Sequence, residues 1–151
     1  MLLLVDIAYL LALPFVLFFV FLSRLKGHPR REDLRGRLGA GEVLASHPRR
    51  VLLHAVSVGE VNAIRLLVEE LKKNHFDVVV CVTTDTGLGR ARELYEENHT
   101  VTRFPFDFGF AIKKFLKRVK PTVIGLVELE VWPNLIGICA KKNIPVVVIN
   151  G

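Results

Sequence analysis

The sequence has few of the residues that would place it in several common classes. Its 151 residues include two cysteines, one tryptophan and one methionine, with 15 acidic against 21 basic side chains. Cys81 and Cys139 each sit inside an apolar run without the paired spacing of a zinc or disulfide framework, so both read as buried, reduced thiols. No cluster of His, Cys, Asp and Glu has metal-ligand spacing, and no metal is expected. A Walker loop and a dinucleotide fingerprint are both missing. No cation precedes the first apolar run, so the basic n-region of a cleaved signal peptide is lacking. The length allows one domain with a proper core and is too short for two ordinary ones.

That first apolar run dominates what is present. Residues 1–22, MLLLVDIAYLLALPFVLFFVFL, hold a single charge, Asp6, and one proline, Pro14. As a helix they would extend roughly 33 Å, enough for a bilayer's hydrocarbon core. The next residues, SRLKGHPRREDLRGR, are dense in cations, and cations just past an apolar span mark the cytoplasmic side. The expectation is an uncleaved single-pass anchor (1–22), a basic juxtamembrane connector (23–50) and a cytoplasmic domain (51–151). Between Arg24 and Arg50 stand Arg24, Lys26, Arg30, Arg31, Arg35, Arg37, Arg49 and Arg50, against Glu32, Asp33 and Glu42. The bland reading of this belt is a solvated linker. Its place beside an apolar span favours anionic membrane lipids over nucleic acid as its partner.

From residue 51 the pattern becomes regular. VLLHAVS (51–57), DVVVCVTT (77–84), PTVIGLVELE (121–130) and IPVVVIN (144–150) read as strands, with a short extended piece at 101–107. Helical spacing of apolar residues predicts helices over 61–74, 87–98, 108–120 and 131–143, and a short one is expected around 32–38. Strands alternating with helices of ten to fourteen residues imply an α/β fold, a Rossmann-like parallel sheet with helices on both faces. Ligands of such sheets sit beyond the carboxyl ends of the strands. Residues just past each strand therefore become the candidates.

At the first corner, Ser57-Val58-Gly59-Glu60 sets a capping-type serine and a glycine before an acid. An acid in the first helical turn has a purely structural explanation. The functional reading is a carboxylate that accepts a proton, with Gly59 letting a ligand approach the backbone. The second corner gathers Thr83, Thr84, Asp85, Thr86 and Gly87 at a helix start, suited to a phosphate, a carboxylate or sugar hydroxyls, or to ordinary threonine caps. Asp107 follows the extended piece. At the last corner Glu128 and Glu130 would share one strand face, ahead of Trp132, Pro133 and Asn134. Two like charges at the end of an apolar strand are costly to bury, so this corner reads most strongly as a site.

The stretches RLGAGE, HAVSVGE, VTTDTGLGRAR, FPFD, KPTVIGLVELEVWPNLI and IPVVVING, in this order behind an apolar anchor, resemble the N-terminal half of the 3-deoxy-D-manno-octulosonic acid (Kdo) transferases of lipopolysaccharide biosynthesis. HAVSVGE and ELEVWPNLI are the specific signals. The resemblance implies an inner-membrane glycosyltransferase of two-domain GT-B architecture, with its catalytic part on the cytoplasmic face. It would move Kdo from CMP-Kdo to a lipid A precursor (lipid IVA) with inversion, needing no cofactor beyond its donor. Glu60 would be the general base and Glu128 would line the active site. From their positions just past the strands, Ser57, Gly59, Thr83, Thr84, Thr86, Gly87, Asp107, Glu130, Trp132 and Asn134 are expected to contact substrate. Family members continue past the position of Gly151 into a donor-binding domain, so this chain is expected to be the acceptor-binding part. The alternatives are a non-catalytic, membrane-tethered module binding a lipid A-like phosphoglycolipid, and a GT-B enzyme using another donor.

Overall fold

Five short runs rich in valine, leucine and isoleucine form strands in the computed structural model, which describes residues 7, 31–128 and 131–149. They are β1 (Arg50–Ala55), β2 (Asp77–Val82), β3 (Thr100–Arg103), β4 (Val123–Val127) and β5 (Val146–Ile149). Among the described residues from 31 on, six helices accompany them: α1 (Arg31–Arg37), α2 (Val58–Ala63), α3 (Arg65–Lys73), α4 (Asp85–Tyr95), α5 (Gly109–Val119) and α6 (Pro133–Lys141). All strand pairs are parallel, in the order β3-β2-β1-β4-β5. The chain therefore winds outward from β1 to β3 and then returns to the other side of β1. That reversal puts a topological switch point between β1 and β4.

Continuous apolar strands suit a sheet covered on both faces, and every residue of β1 is buried. On one face Val51, Leu53, Val78, Val80 and Val82 pack against Val61, Ile64, Val68, Leu88 and Ala91 of α2–α4. On the other, Leu52, Val79, Cys81 and Ile124 meet Ile112, Phe115 and Leu116 of α5 and Leu135 and Ile138 of α6. Both cysteines are buried free thiols. Burial raises both thiols, Cys139 to about 11, so they stay protonated at neutral pH.

Several boundaries move for identifiable reasons. The helix expected at 61–74 begins at Val58, because Ser57 and Glu60 form a capping box, and it is interrupted at the buried Ile64. The helix expected at 87–98 begins at Asp85, because Thr84 caps it. The strand expected to reach Glu130 ends at Val127, where Glu128 turns to a positive φ of 66°. That turn breaks the alternation that would have placed Glu128 and Glu130 on one strand face. Glu130 and all of the expected anchor except Ile7 lie outside the described residues. Among the described residues no helix is long and apolar enough to cross a membrane.

The connector's later half is docked on the domain. Gly39 has φ of 77°, and a side chain there would strike the Ala111 carbonyl of α5. Arg118, buried on α5, donates to the Glu42 carbonyl (3.2 Å) and to Thr102 Oγ1 (2.9 Å). Two belt cations also turn inward. Arg50 bonds Asp77 (2.6 Å) and the Val119 carbonyl (2.6 Å), and Arg37 reaches the Thr83 carbonyl (3.3 Å).

Candidate active site

The peptide of Val56, just past β1, is the centre of the switch-point corner. Its N–H donates to Glu60 Oε2 (2.8 Å), and the Ser57 N–H donates to Glu60 Oε1 (3.1 Å). The Glu60 N–H returns a bond to Ser57 Oγ (3.3 Å), completing the capping box. On its other side, the Val56 carbonyl accepts from Thr84 Oγ1 (2.6 Å) and from the Thr84 N–H (3.3 Å). The first two corners thus hold the same peptide from opposite sides. Gly87 completes the clamp. A Cβ there would lie 2.8 Å from Thr84 Oγ1 and 3.1 Å from the Val56 carbonyl.

The third corner is a neighbour by register. His54 of β1 pairs with Leu126 of β4, so these adjacent parallel strands end side by side, β1 at Ala55 and β4 at Val127, and Val56 and Glu128 follow them at the same edge of the sheet. Glu128 is exposed, and its left-handed backbone costs a non-glycine residue on the order of 1 kcal/mol. Its N–H is held by the Ile149 carbonyl (2.9 Å). Backbone strain of this kind at a switch point is a feature of functional sites.

The FPFD and WPNL stretches lock each other. Asp107 is buried, and its two carboxylate oxygens accept the N–H groups of Asn134 and Leu135 (both 2.9 Å) at the start of α6. Asn134 Nδ2 donates back to the Asp107 carbonyl (2.6 Å). The segment from Phe104 to Asp107 therefore runs from the β3 edge across the switch point to α6. Phe104 packs with tilted rings against His54 (4.1 Å between ring centroids) and Trp132 (5.1 Å) on the way. The half-buried Trp132 lies edge-on to His54 at 5.8 Å.

The structure brings Ser57, Glu60, Thr84 and Gly87 into one cluster, with Glu128 just past the end of the adjacent strand β4. Asp107 and Asn134 brace the neighbouring corner. Thr86 is exposed in the first turn of α4, and Gly59 is exposed in the first turn of α2. Thr83 turns its hydroxyl down to His54 Nε2 (2.9 Å).

His54 was not singled out from the sequence, where it passes as one residue of an apolar run. It is fully buried, and burial lowers it to about 3, so it is neutral at physiological pH. Between roughly pH 6.5 and 3 the unfolded chain binds a proton that the folded chain refuses. Stability therefore falls as pH falls, by up to about 1.4 kcal/mol per unit. Urea unfolding between pH 7 and 4.5 should show a steeper acid loss for the native sequence than for His54→Gln. Equal slopes would remove His54 as the cause.

Arg103 was also missed. It donates to the Thr83 carbonyl (2.8 Å) and pairs with Asp85, which Arg37 also approaches at 3.6 Å. These two arginines tie α1 and β3 to the second corner, which sequence spacing alone does not reveal.

The sequence model of the 3-deoxy-D-manno-octulosonic-acid transferase (kdotransferase) family matches residues 32–151. The chain belongs to the Kdo transferase family. A Haemophilus influenzae 3-deoxy-D-manno-octulosonic acid transferase is 33% identical over 144 residues, covering 93% of this chain and 34% of the relative. The Bordetella pertussis protein of that name is 33% identical over 122 residues, 76% of this chain and 28% of its own length. A Fusobacterium nucleatum bifunctional glycosyltransferase/methyltransferase is 36% identical over 108 residues, 67% of this chain and 16% of the relative. The chain thus spans about a third or less of the length of these curated relatives. Every corner of the candidate site falls within the stretch matched by the Kdo transferase model.

Proposed function

We propose that this chain is the acceptor-side, base-carrying part of an inverting GT-B glycosyltransferase that moves Kdo from CMP-Kdo onto a lipid A precursor such as lipid IVA at the inner membrane. The observation that carries this reading is the buried Glu60 carboxylate, held by two backbone N–H groups at the switch point, with Glu128 just past the end of the neighbouring strand β4. Each Glu60 oxygen accepts one N–H and keeps further lone-pair capacity. One of these takes the proton of the acceptor hydroxyl as its oxygen attacks the anomeric carbon of Kdo. The bond to the CMP phosphate breaks on the opposite face, and CMP leaves with the electron pair, so the configuration inverts. The donor is held by the C-terminal domain of the complete enzyme. Thr86 and Gly59 are the exposed positions of the first two corners suited to the acceptor. The basic connector faces anionic lipids beside the anchor.

Gly59 separates this reading from a merely structural corner. A Cβ there would meet nothing nearer than Ser57 Oγ at 3.7 Å, an ordinary contact. Gly59→Ala should leave folding unchanged or stabilise it by roughly 0.5–1 kcal/mol. In the complete enzyme it should nevertheless depress transfer at least tenfold, because the acceptor needs that space. Unchanged transfer would refute an approach along this backbone.

A second reading follows from the chain covering 34% of its Haemophilus relative. By itself it would be a membrane-tethered module that binds a phosphoglycolipid without turning it over. Mass spectrometry after incubating the 151-residue chain with CMP-Kdo and lipid IVA separates the two. Kdo-bearing product favours catalysis by this chain, and acceptor binding without product favours the module.

A further inference from the structure

The two helical layers differ sharply in charge. On α3 and α4 the exposed cations have acidic neighbours, as in Arg65–Glu69 (3.3 Å), Lys73–Glu70 (3.5 Å), Arg90–Glu93 (3.1 Å) and Arg92–Glu96 (3.8 Å). Across the sheet, residues 108–120 and 131–144, which contain α5 and α6, include no aspartate or glutamate. Lys113, Lys114, Lys117, Lys120, Lys141 and Lys142 are all exposed there, and among the described residues none is in an ion pair. Arg118 does not join them, because it points inward.

The same face is apolar at one end. On α5, Phe110, Lys113, Lys114 and Lys117 share one stripe by helical spacing. Phe110 is 61% exposed and stacks on Phe108 at 5.9 Å. The outward stripe of α6 runs through Pro133, Ile136, Gly137 and Ala140 to Lys141, with Ile136 37% exposed. Both helices return antiparallel to the strands, so Phe110 and Ile136 lie at the crevice end and the lysines extend away from it. Between the helices a groove of about 660 Å³ has Leu116, Ile138 and Ile144 in its floor and Lys113, Lys117, Lys141 and Lys142 on its rim.

We infer that the outer face of α5 and α6 is a docking surface for an anionic lipid bilayer, with Phe110 and Ile136 at the acyl boundary and the lysines among the headgroup phosphates. Charge complementarity selects an anionic partner. An apolar tip and floor select lipid over a nucleic acid, since Pro133, Ile136, Gly137 and Ala140 offer no side chain able to hydrogen-bond a base. Interfacial helices with a cationic face and exposed aromatic or aliphatic residues behave in this way. The inference extends the membrane partner of the proposed function from the connector to the fold itself. It does not depend on Glu60 or on transfer, so a failed transfer assay would leave it standing.

The test uses the full chain in phosphatidylcholine vesicles with and without one part in three of phosphatidylglycerol. A nitroxide is placed by Lys117→Cys and, as a control on the opposite layer, by Glu69→Cys. The two native thiols are buried. Access of a water-soluble relaxation agent at 117 should fall severalfold only in the anionic vesicles and recover in half-molar salt, while 69 stays exposed in both. Lys113→Glu, Lys141→Glu and Lys142→Glu combined should weaken this contact on the order of 100-fold. If that variant loses its far-ultraviolet dichroism, the corresponding glutamine triple replaces it and should weaken the contact in the same direction. Equal access at 117 in both vesicles, equal protection at 69, or protection at 117 by added RNA but not by anionic vesicles would overturn the inference.

Discussion

Glu60→Gln in the complete enzyme is expected to lower Kdo transfer by about 100- to 10,000-fold, the range typical of losing a positioned general base. The substitution keeps size and one acceptor oxygen, so the fold should survive. It does not come free of structural effect, because Glu60 is also the fourth corner of a capping box. Glutamine can accept from only one of the Val56 and Ser57 N–H groups, and the other loses its partner, at a cost of about 1 kcal/mol. Glu60→Ala removes both acceptors and confounds the two roles. Glutamine is therefore the informative change, read as initial transfer rate beside urea stability. A variant destabilised by about 1 kcal/mol that still transfers at the native rate would leave Glu60 as a helix cap and nothing more.

The largest loss of stability is expected at Asp107. Both of its carboxylate oxygens hold N–H groups at the start of α6, and the residue is buried. Asp107→Ala orphans two backbone donors in a place that water does not readily reach, at 1–3 kcal/mol each, or about 3 kcal/mol together. For a domain of this size that corresponds to a melting temperature lower by on the order of 10 °C. Asp107→Asn, which retains one acceptor, should fall between. Thermal unfolding followed by circular dichroism checks both. A shift of only a degree or two for Asp107→Ala would mean that α6 is seated by Leu135 and Ile138 in the core and not by this cap.

The contrast between these two residues describes what the sequence makes legible. Glu60 and its serine are three positions apart, so their relation is local and the pattern Ser-x-x-Glu exposes it. The parallel sheet is legible for a similar reason, since buried strands and amphipathic helices each write their own period. The partnership of Asp107 with Asn134 and Leu135 joins segments 27 or 28 residues apart, and no spacing rule connects FPFD to WPNL. The inward turn of Arg118 is equally hidden. In a run reading KKFLKRVK it looks like its neighbours, and its guanidinium is held by the docked connector and by Thr102 of β3, both distant in sequence. The expected strand-face position of Glu128 was overturned for another reason. Alternation assumes that the strand continues, but the strand ends at Val127, where Glu128 turns left-handed.

The shared peptide of Val56 carries a consequence for how the corner meets a substrate. The Glu60 carboxylate holds it from one side, and Thr84 from the other. The Glu60 carboxylate is thus fastened to the frame, and its direction is set by strands and helix starts instead of by a loop that must settle around a ligand. Under the proposed function, such a corner would spend little reorganisation at the moment of reaction, which is the property that makes preorganised groups effective. An incoming hydroxyl would then find its proton acceptor already aimed.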